Sequence, residues 1–231
     1  MRPAISSFPN SAFYLSALQD SVSVGSRPAP PRSRFLNHTS SADSTTLLTE
    51  PLVFISHDHP EEFYRQSTLN RGEVDIIVEV VGDLLAQNTT LEASDIGIIS
   101  PYASQTRLLV DTFAEQAGNH LTPLLGPQRA SEVCRVEINT VDGFQGREKT
   151  IIILSTVRSN KTGHIGFLTD KRRLNVALTR AKDALFVVGN PRTLKMATTS
   201  EWFSADVDAD AGVWRRYLAW MEERGLVRRW E

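Results

Sequence analysis

Cysteine is nearly absent. Cys134 is the only one in 231 residues, which excludes an internal disulfide framework and any multi-cysteine zinc site. No apolar run reaches the roughly 18 residues that a membrane span needs. The N-terminus, MRPAISSFPNSAFYLSALQD, lacks the long apolar core of a secretory signal. An intracellular, reducing compartment is the expectation. Neither sign of charge dominates: 25 Lys+Arg against 27 Asp+Glu leave a net charge of -2. A globally basic nucleic-acid glue and an acidic disordered tail are both excluded.

Several catalytic signatures are missing as well. None of the 13 glycines is followed by Lys, so there is no GxxxxGK[ST] loop to hold phosphates. No acidic pair ends an apolar strand where Mg²⁺ would sit. HxxxH, HExxH and the GxSxG elbow do not occur. His57 and His59, in SHDHP, can pair on a loop, but the sequence assigns no metal.

What is present is an ordinary globular composition, 41% hydrophobic over 25.7 kDa, enough for one large domain or two small ones. The near-neutral mean hides an asymmetry. Residues 50–128 hold 12 acidic and 3 basic residues, a balance of -9. Residues 129–195 hold 6 acidic and 13 basic, a balance of +7. That basic block is either an anion-facing surface or a solvated face.

Apolar patterning divides the chain. Ile5, Phe8, Phe13 and Tyr14 can share one side of a short helix. Residues 21–46 are rich in Ser, Pro, Thr and Arg and read as a surface loop or linker. LVFIS (52–56), IGIIS (96–100), TIIILSTV (150–157) and ALFVVGN (184–190) are strand-like runs, and CRVEIN (134–139) alternates as a strand does. Residues 70–87 and 105–116 carry helical spacing. Residues 119–131, with two prolines, read as a loop. RRLNVALTRAK (172–182) is helical in pattern, and WRRYLAWMEERGLV (214–227) is an amphipathic helix stopping near Gly225. Strands alternating with helices imply a mostly parallel sheet covered on both faces, with functional loops at the carboxyl ends of the strands.

Three segments stand out. In SPYASQ (100–105), Tyr102 is either an aromatic platform for a base or part of a capping turn with a packed ring. In INTVDGFQGREKTIIILS (138–155), Gly143 and Gly146 allow close backbone approach, and Thr140, Gln145 and Glu148 offer hydrogen bonds. In DKRRLNVALTRAKDALFVVGN (170–190), Arg173 and Arg180 would share one face of a helix. Such guanidinium groups either fork onto phosphate oxygens or form a solvated face.

Together these residues resemble the second RecA-like domain of superfamily 1B helicases, in the 5′-to-3′ group with the nonsense-mediated-decay and Sen-type termination helicases. VDGFQGRE looks like helicase motif V and RRLNVALTRAK like motif VI. SPYASQ matches the (T/S)PYxxQ segment, STLNRGE (67–73) the SxxNxxE segment, and MRPAISSFPNSAFY the stretch usually written QYRMHPxISxFPxxxFY.

The resemblance implies a RecA-like P-loop NTPase fold without a Walker A loop. It assigns 1–20 and 50–195 to that domain, with 21–49 as an insertion; 196–231, which carries no motif, reads from its own pattern as a helical tail. ATP with Mg²⁺ would be held mainly by a first RecA-like domain, the expected partner. Arg180 matches the arginine finger, and Gln145, Gly146, Glu148 and Arg173 the nucleotide-facing positions. Pro101, Tyr102, Thr140 and Arg158 fall in segments that approach single-stranded RNA or DNA. The compartment implied is nucleus or cytoplasm. One departure matters. The chain starts at the Met of the QYRM signature, and Arg2 stands where the family has His. The expectation is a fragment that does not hydrolyse ATP alone, or else a non-catalytic remnant that binds nucleic acid or protein.

Overall fold

The computed structural model describes residues 1–19, 29–39, 47–197 and 205–231. Helix α1 (Pro3–Phe13) opens the chain, with proline at its first position, where the missing N–H costs nothing. A short antiparallel ribbon follows, β1 (Asn37–Thr39) with β2 (Leu47–Thr49). After the first main strand, β3 (Leu52–Ser56), comes a second ribbon, β4 (Glu62–Tyr64) with β5 (Ser67–Leu69). Then helix and strand alternate: α2 (Arg71–Gln87), β6 (Ile96–Ser100), α3 (Ala103–Glu115), α4 (Ala117–Leu125), α5 (Pro127–Ser131), β7 (Glu137–Thr140), β8 (Lys149–Ser155), α6 (Lys171–Leu178) and β9 (Ala181–Gly189). Helices α7 (Pro191–Lys195) and α8 (Ala205–Glu223) and the strand β10 (Val227–Arg229) complete the chain.

Six strands pair in the order β10-β3-β9-β8-β6-β7, all parallel. The expected α/β, RecA-like sheet is what forms. Side chains alternate between its faces. Ile152, Leu154, Leu185 and Val187 join Phe54 under α1, α6 and α8. Ile151, Ile153, Phe186 and Val188 join Ile55 under α2, α3 and α4. Helices cover both faces, so the strands bury successive residues and read as unbroken apolar runs.

Three expectations about local structure are corrected. Residues 119–131 are helical, not a loop. Pro123 lies inside α4 and Pro127 opens α5, while Leu121 packs so closely on α2 that a methyl group at Gly82 would lie 2.5 Å from it. Burial of Leu121 outweighs the hydrogen bond that proline removes. The strand expected at 134–139 begins at Glu137, because 132–135 coil into a 3-10 turn that buries Val133. Helix α6 ends at Leu178, so Arg180 is not on the helix that carries Arg173. Arg180 immediately precedes β9, whose Ala181 pairs with Lys149.

Part of the 21–49 segment is docked. Ser33 Oγ donates to Asp83 at 2.6 Å, Arg32 N donates to the Asn88 side chain at 2.9 Å, and Leu36 is buried. Phe35 stacks on Trp230 with ring centroids 5.9 Å apart. Residues 20–28 and 40–46, the rest of that reading, lie outside the described residues. In the tail, α8 buries Val213, Trp214, Tyr217, Leu218 and Met221 along one stripe. Gly225, at φ 65°, turns the chain so that β10 adds to β3.

Candidate nucleotide and strand sites

The residues singled out in the sequence fall at opposite ends of the sheet. At the amino ends of β8 and β9, the 141–148 connection meets the turn after α6. Lys149 N donates to Arg180 O at 3.1 Å. Phe144, fully buried, anchors the connection in the core. Thr140 Oγ1 accepts from Gly143 N at 3.2 Å. A Cβ at Gly143 would sit 2.1 Å from the Asn139 carboxamide oxygen, so close approach is the reason for that glycine. Gly146 has a different reason. Nothing lies within 4 Å of where its Cβ would be, but its φ is 77°. The chain needs the left-handed turn there, not the space. Gln145 and Glu148 are exposed beside it.

Arg180 is half-buried at this edge. Its Nε donates to Val176 O at 3.1 Å, its Nη2 to Thr179 Oγ1 at 3.0 Å and its Nη1 to Arg147 O at 3.4 Å. All three acceptors are neutral, and among the described residues no carboxylate pairs with it. Its charge is positioned but not compensated. Arg173 is tied to Asp142 at 3.0 Å, which clamps α6 to the same connection. Arg2 pairs with Asp183 at 3.1 Å near the start of β9. Lys149, hydrogen-bonded at 2.9 Å, and then Arg147 hold the Glu137 carboxyl below the usual carboxylate range.

At the carboxyl ends the picture inverts. Tyr102 is 3% exposed. Its hydroxyl donates to Ile165 O at 2.8 Å and its ring packs edge-on against Phe167. Burial of that hydroxyl raises its pKa above the ordinary tyrosine value. Of the two readings of SPYASQ, the packed capping turn is the one found. Arg158 is buried too. Its Nε and Nη2 grip the Glu61 carboxylate at 3.0 and 2.8 Å, and its Nη1 donates to the Tyr102 hydroxyl at 3.3 Å. In this structure the Tyr102 ring and the Arg158 guanidinium are both engaged within the domain, in the segments expected to approach a strand. Pro101 and Thr140 are half-buried at the same end.

A model of the AAA domain family matches residues 1–192. The chain belongs to this family. Its relatives include a regulator of nonsense transcripts 1 homolog of Neurospora crassa, 36% identical over 197 residues, covering 84% of this chain and 16% of that protein. The ATP-dependent helicase upf1 of Schizosaccharomyces pombe is 37% identical over 230 residues, covering 98% and 21%. The DNA polymerase alpha-associated DNA helicase A of the same yeast is 35% identical over 218 residues, covering 90% and 29%. The chain thus spans between about a sixth and a third of the length of these relatives. It is a superfamily 1B helicase domain of the nonsense-mediated-decay type.

In this helicase domain the SxxNxxE and (T/S)PYxxQ segments meet in one buried network whose roles the sequence left blank. Asn70 caps α2, accepting from Glu73 N at 3.1 Å. Gln105 bridges Asn70 N and the Ser155 hydroxyl at 2.8 and 3.1 Å. Glu73, wholly buried, accepts from Ser155 Oγ at 2.5 Å, from Val157 N at 2.9 Å and from His57 Nε2 at 3.0 Å. His57 Nδ1 accepts from His59 N at 3.1 Å, which puts the neutral ring's proton on Nε2. Val157, a β-branched residue at φ 70°, is held in that costly conformation by the carboxylate bound to its N–H. An N-x-x-E spacing resembles a capping box, but Glu73 turns inward to β8 instead.

The residues at the amino edge fit a share of a nucleotide: a guanidinium without a carboxylate partner among the described residues, for a phosphate, and two exposed polar side chains beside the left-handed turn at Gly146. Among the described residues no cluster of three or more His, Cys, Asp or Glu groups is placed to hold a metal ion.

Proposed function

We propose that this domain is the second half of an ATP-driven motor on single-stranded RNA or DNA. One observation carries the reading: Arg180 holds an uncompensated guanidinium at the amino edge, locked by three neutral acceptors. ATP with Mg²⁺, bound against a first RecA-like domain, supplies the phosphoanhydride bond whose cleavage powers movement. Arg180 meets charge developing on the terminal phosphate, where preorganised donors are worth most. The Arg173–Asp142 pair keeps the 141–148 connection against α6, so Gly146 can turn and Gln145 and Glu148 can face the sugar. Pro101 and Thr140 border the strand at the opposite end, with Tyr102 and Arg158 positioning those segments from beneath. Movement runs 5′-to-3′ and the compartment is nucleus or cytoplasm, both by resemblance to the family. With no GxxxxGK[ST] sequence of its own, this chain turns over ATP only together with a first domain.

The test is a chimera in which this chain replaces the matching segment of the Schizosaccharomyces pombe relative. Strand-stimulated ATPase should appear in the chimera and not in the isolated chain. Arg180→Ala should lower it by about 10³–10⁵. Turnover unaffected by that change would refute the finger assignment, and robust turnover by the isolated chain would refute the shared site.

A further inference from the structure

We propose that the β4–β5 ribbon is a base-stacking finger for single-stranded nucleic acid, with Phe63 as its principal ring. This rests on the reading above that the carboxyl end of the sheet takes a strand. Phe63 is 79% exposed and Tyr64 46%. Successive strand residues point to opposite faces, so the ribbon carries one ring on each side.

The ribbon is fixed at its root. Glu61 accepts from Ser159 N at 2.6 Å and from Asn160 Nδ2 at 3.0 Å besides its two bonds from Arg158. Ser104 Oγ donates to Tyr64 O at 3.0 Å. The turn residues Arg65 and Gln66 sit at φ 45° and 65° without a glycine between them. Both adopt a left-handed conformation that non-glycine residues seldom enter. A rigid support that keeps a phenylalanine in water, on a strained turn, points to a ligand for the ring.

Charge identifies that ligand. Glu61 is spent on Arg158 and Glu62 pairs with Arg71 at 3.3 Å. Arg65, whose guanidinium lies 5.1 Å from the Tyr64 ring centroid, has no carboxylate partner among the described residues, and neither has Lys161 beside Asn160. Isolated rings flanked by free cations match base planes on a phosphate backbone. An apolar protein surface would call for a continuous patch. The finger thus takes the place that Tyr102, packed inside, does not fill.

Fluorescence anisotropy of the full chain with labelled oligouridine and oligothymidine tests this. Phe63→Ala should raise Kd about tenfold on both, with an unchanged salt slope and Tm. Phe63→Trp should retain affinity. Arg65→Ala should reduce the salt slope by about one. Unchanged Kd for Phe63→Ala in a chain that binds would overturn the finger alone. A loss confined to one sugar type would also count against stacking. A wild-type chain that binds neither oligomer would overturn the strand reading, and the finger with it.

Discussion

Two arginines at opposite ends of one sheet show what burial does to a charge. Arg158 is enclosed and bound on two sides by the Glu61 carboxylate. Arg180 is half-open and, among the described residues, bonds only neutral oxygens. A compensated guanidinium builds structure, whereas one held in place without a counter-charge is ready for an anion. By residue type the two are equally good candidates for phosphate contact. Their partners separate them.

The largest expected effect breaks the comparison on its functional side. Arg180→Ala should remove nearly all strand-stimulated turnover from an assembled motor while leaving Tm almost unchanged, since its three bonds are partly exposed. Arg158→Ala should do the reverse. It strands the mostly buried Glu61 and should lower stability by about 3 kcal/mol, read by urea denaturation. Arg158→Ala combined with Glu61→Ala should recover part of that loss. If the single variant instead weakens strand binding with no stability cost, Arg158 belongs with Arg180 after all.

A step smaller, Glu73→Gln keeps the shape but loses the charge that Val157 N, Ser155 and His57 address. A loss of about 2 kcal/mol is expected in the same assay. Gly146→Ala should cost about 1 kcal/mol through its backbone angle alone, because there is room for the methyl. A much larger loss would mean the turn packs more tightly than its geometry implies. The smallest effect has the opposite sign. The Tyr217 ring packs among Phe8, Trp214 and Trp220, its buried hydroxyl has no hydrogen-bond partner among the described residues, and its pKa is pushed far up by that burial. Tyr217→Phe should be neutral or raise stability by up to about 1 kcal/mol, seen as a higher Tm.

The apolar strands were legible in the sequence because both sheet faces are covered and burial leaves unbroken runs at 52–56, 96–100 and 150–155. The face of α2 was legible by its spacing. Helices α4 and α5 were not, since Pro123 and Pro127 mimic a loop unless the packing of Leu121 against Gly82 is known. The site divides along the same line. Motif resemblance groups Arg180 with Gly146, and in the structure Arg180 reaches Arg147 O next to Gly146, although helical periodicity misplaces Arg180 on α6. The fates of Tyr102 and Arg158 were illegible because they depend on Ile165 and Glu61, far away along the chain. The buried network is half-visible: the SxxNxxE and (T/S)PYxxQ segments stand out, but nothing local says that Asn70 and Gln105 bond each other.

Helix α1 and helix α8, which covers its Phe8, stand far apart along the chain. Phe8 lies against Tyr217 and Trp220 of α8, with ring centroids 4.9 and 5.8 Å apart, and β3 waits for β10. Closure of this domain is therefore a late, non-local event. A chain in which α8 has not docked would leave the Phe8 ring open on that side, an adhesive surface for chaperones or for its neighbours.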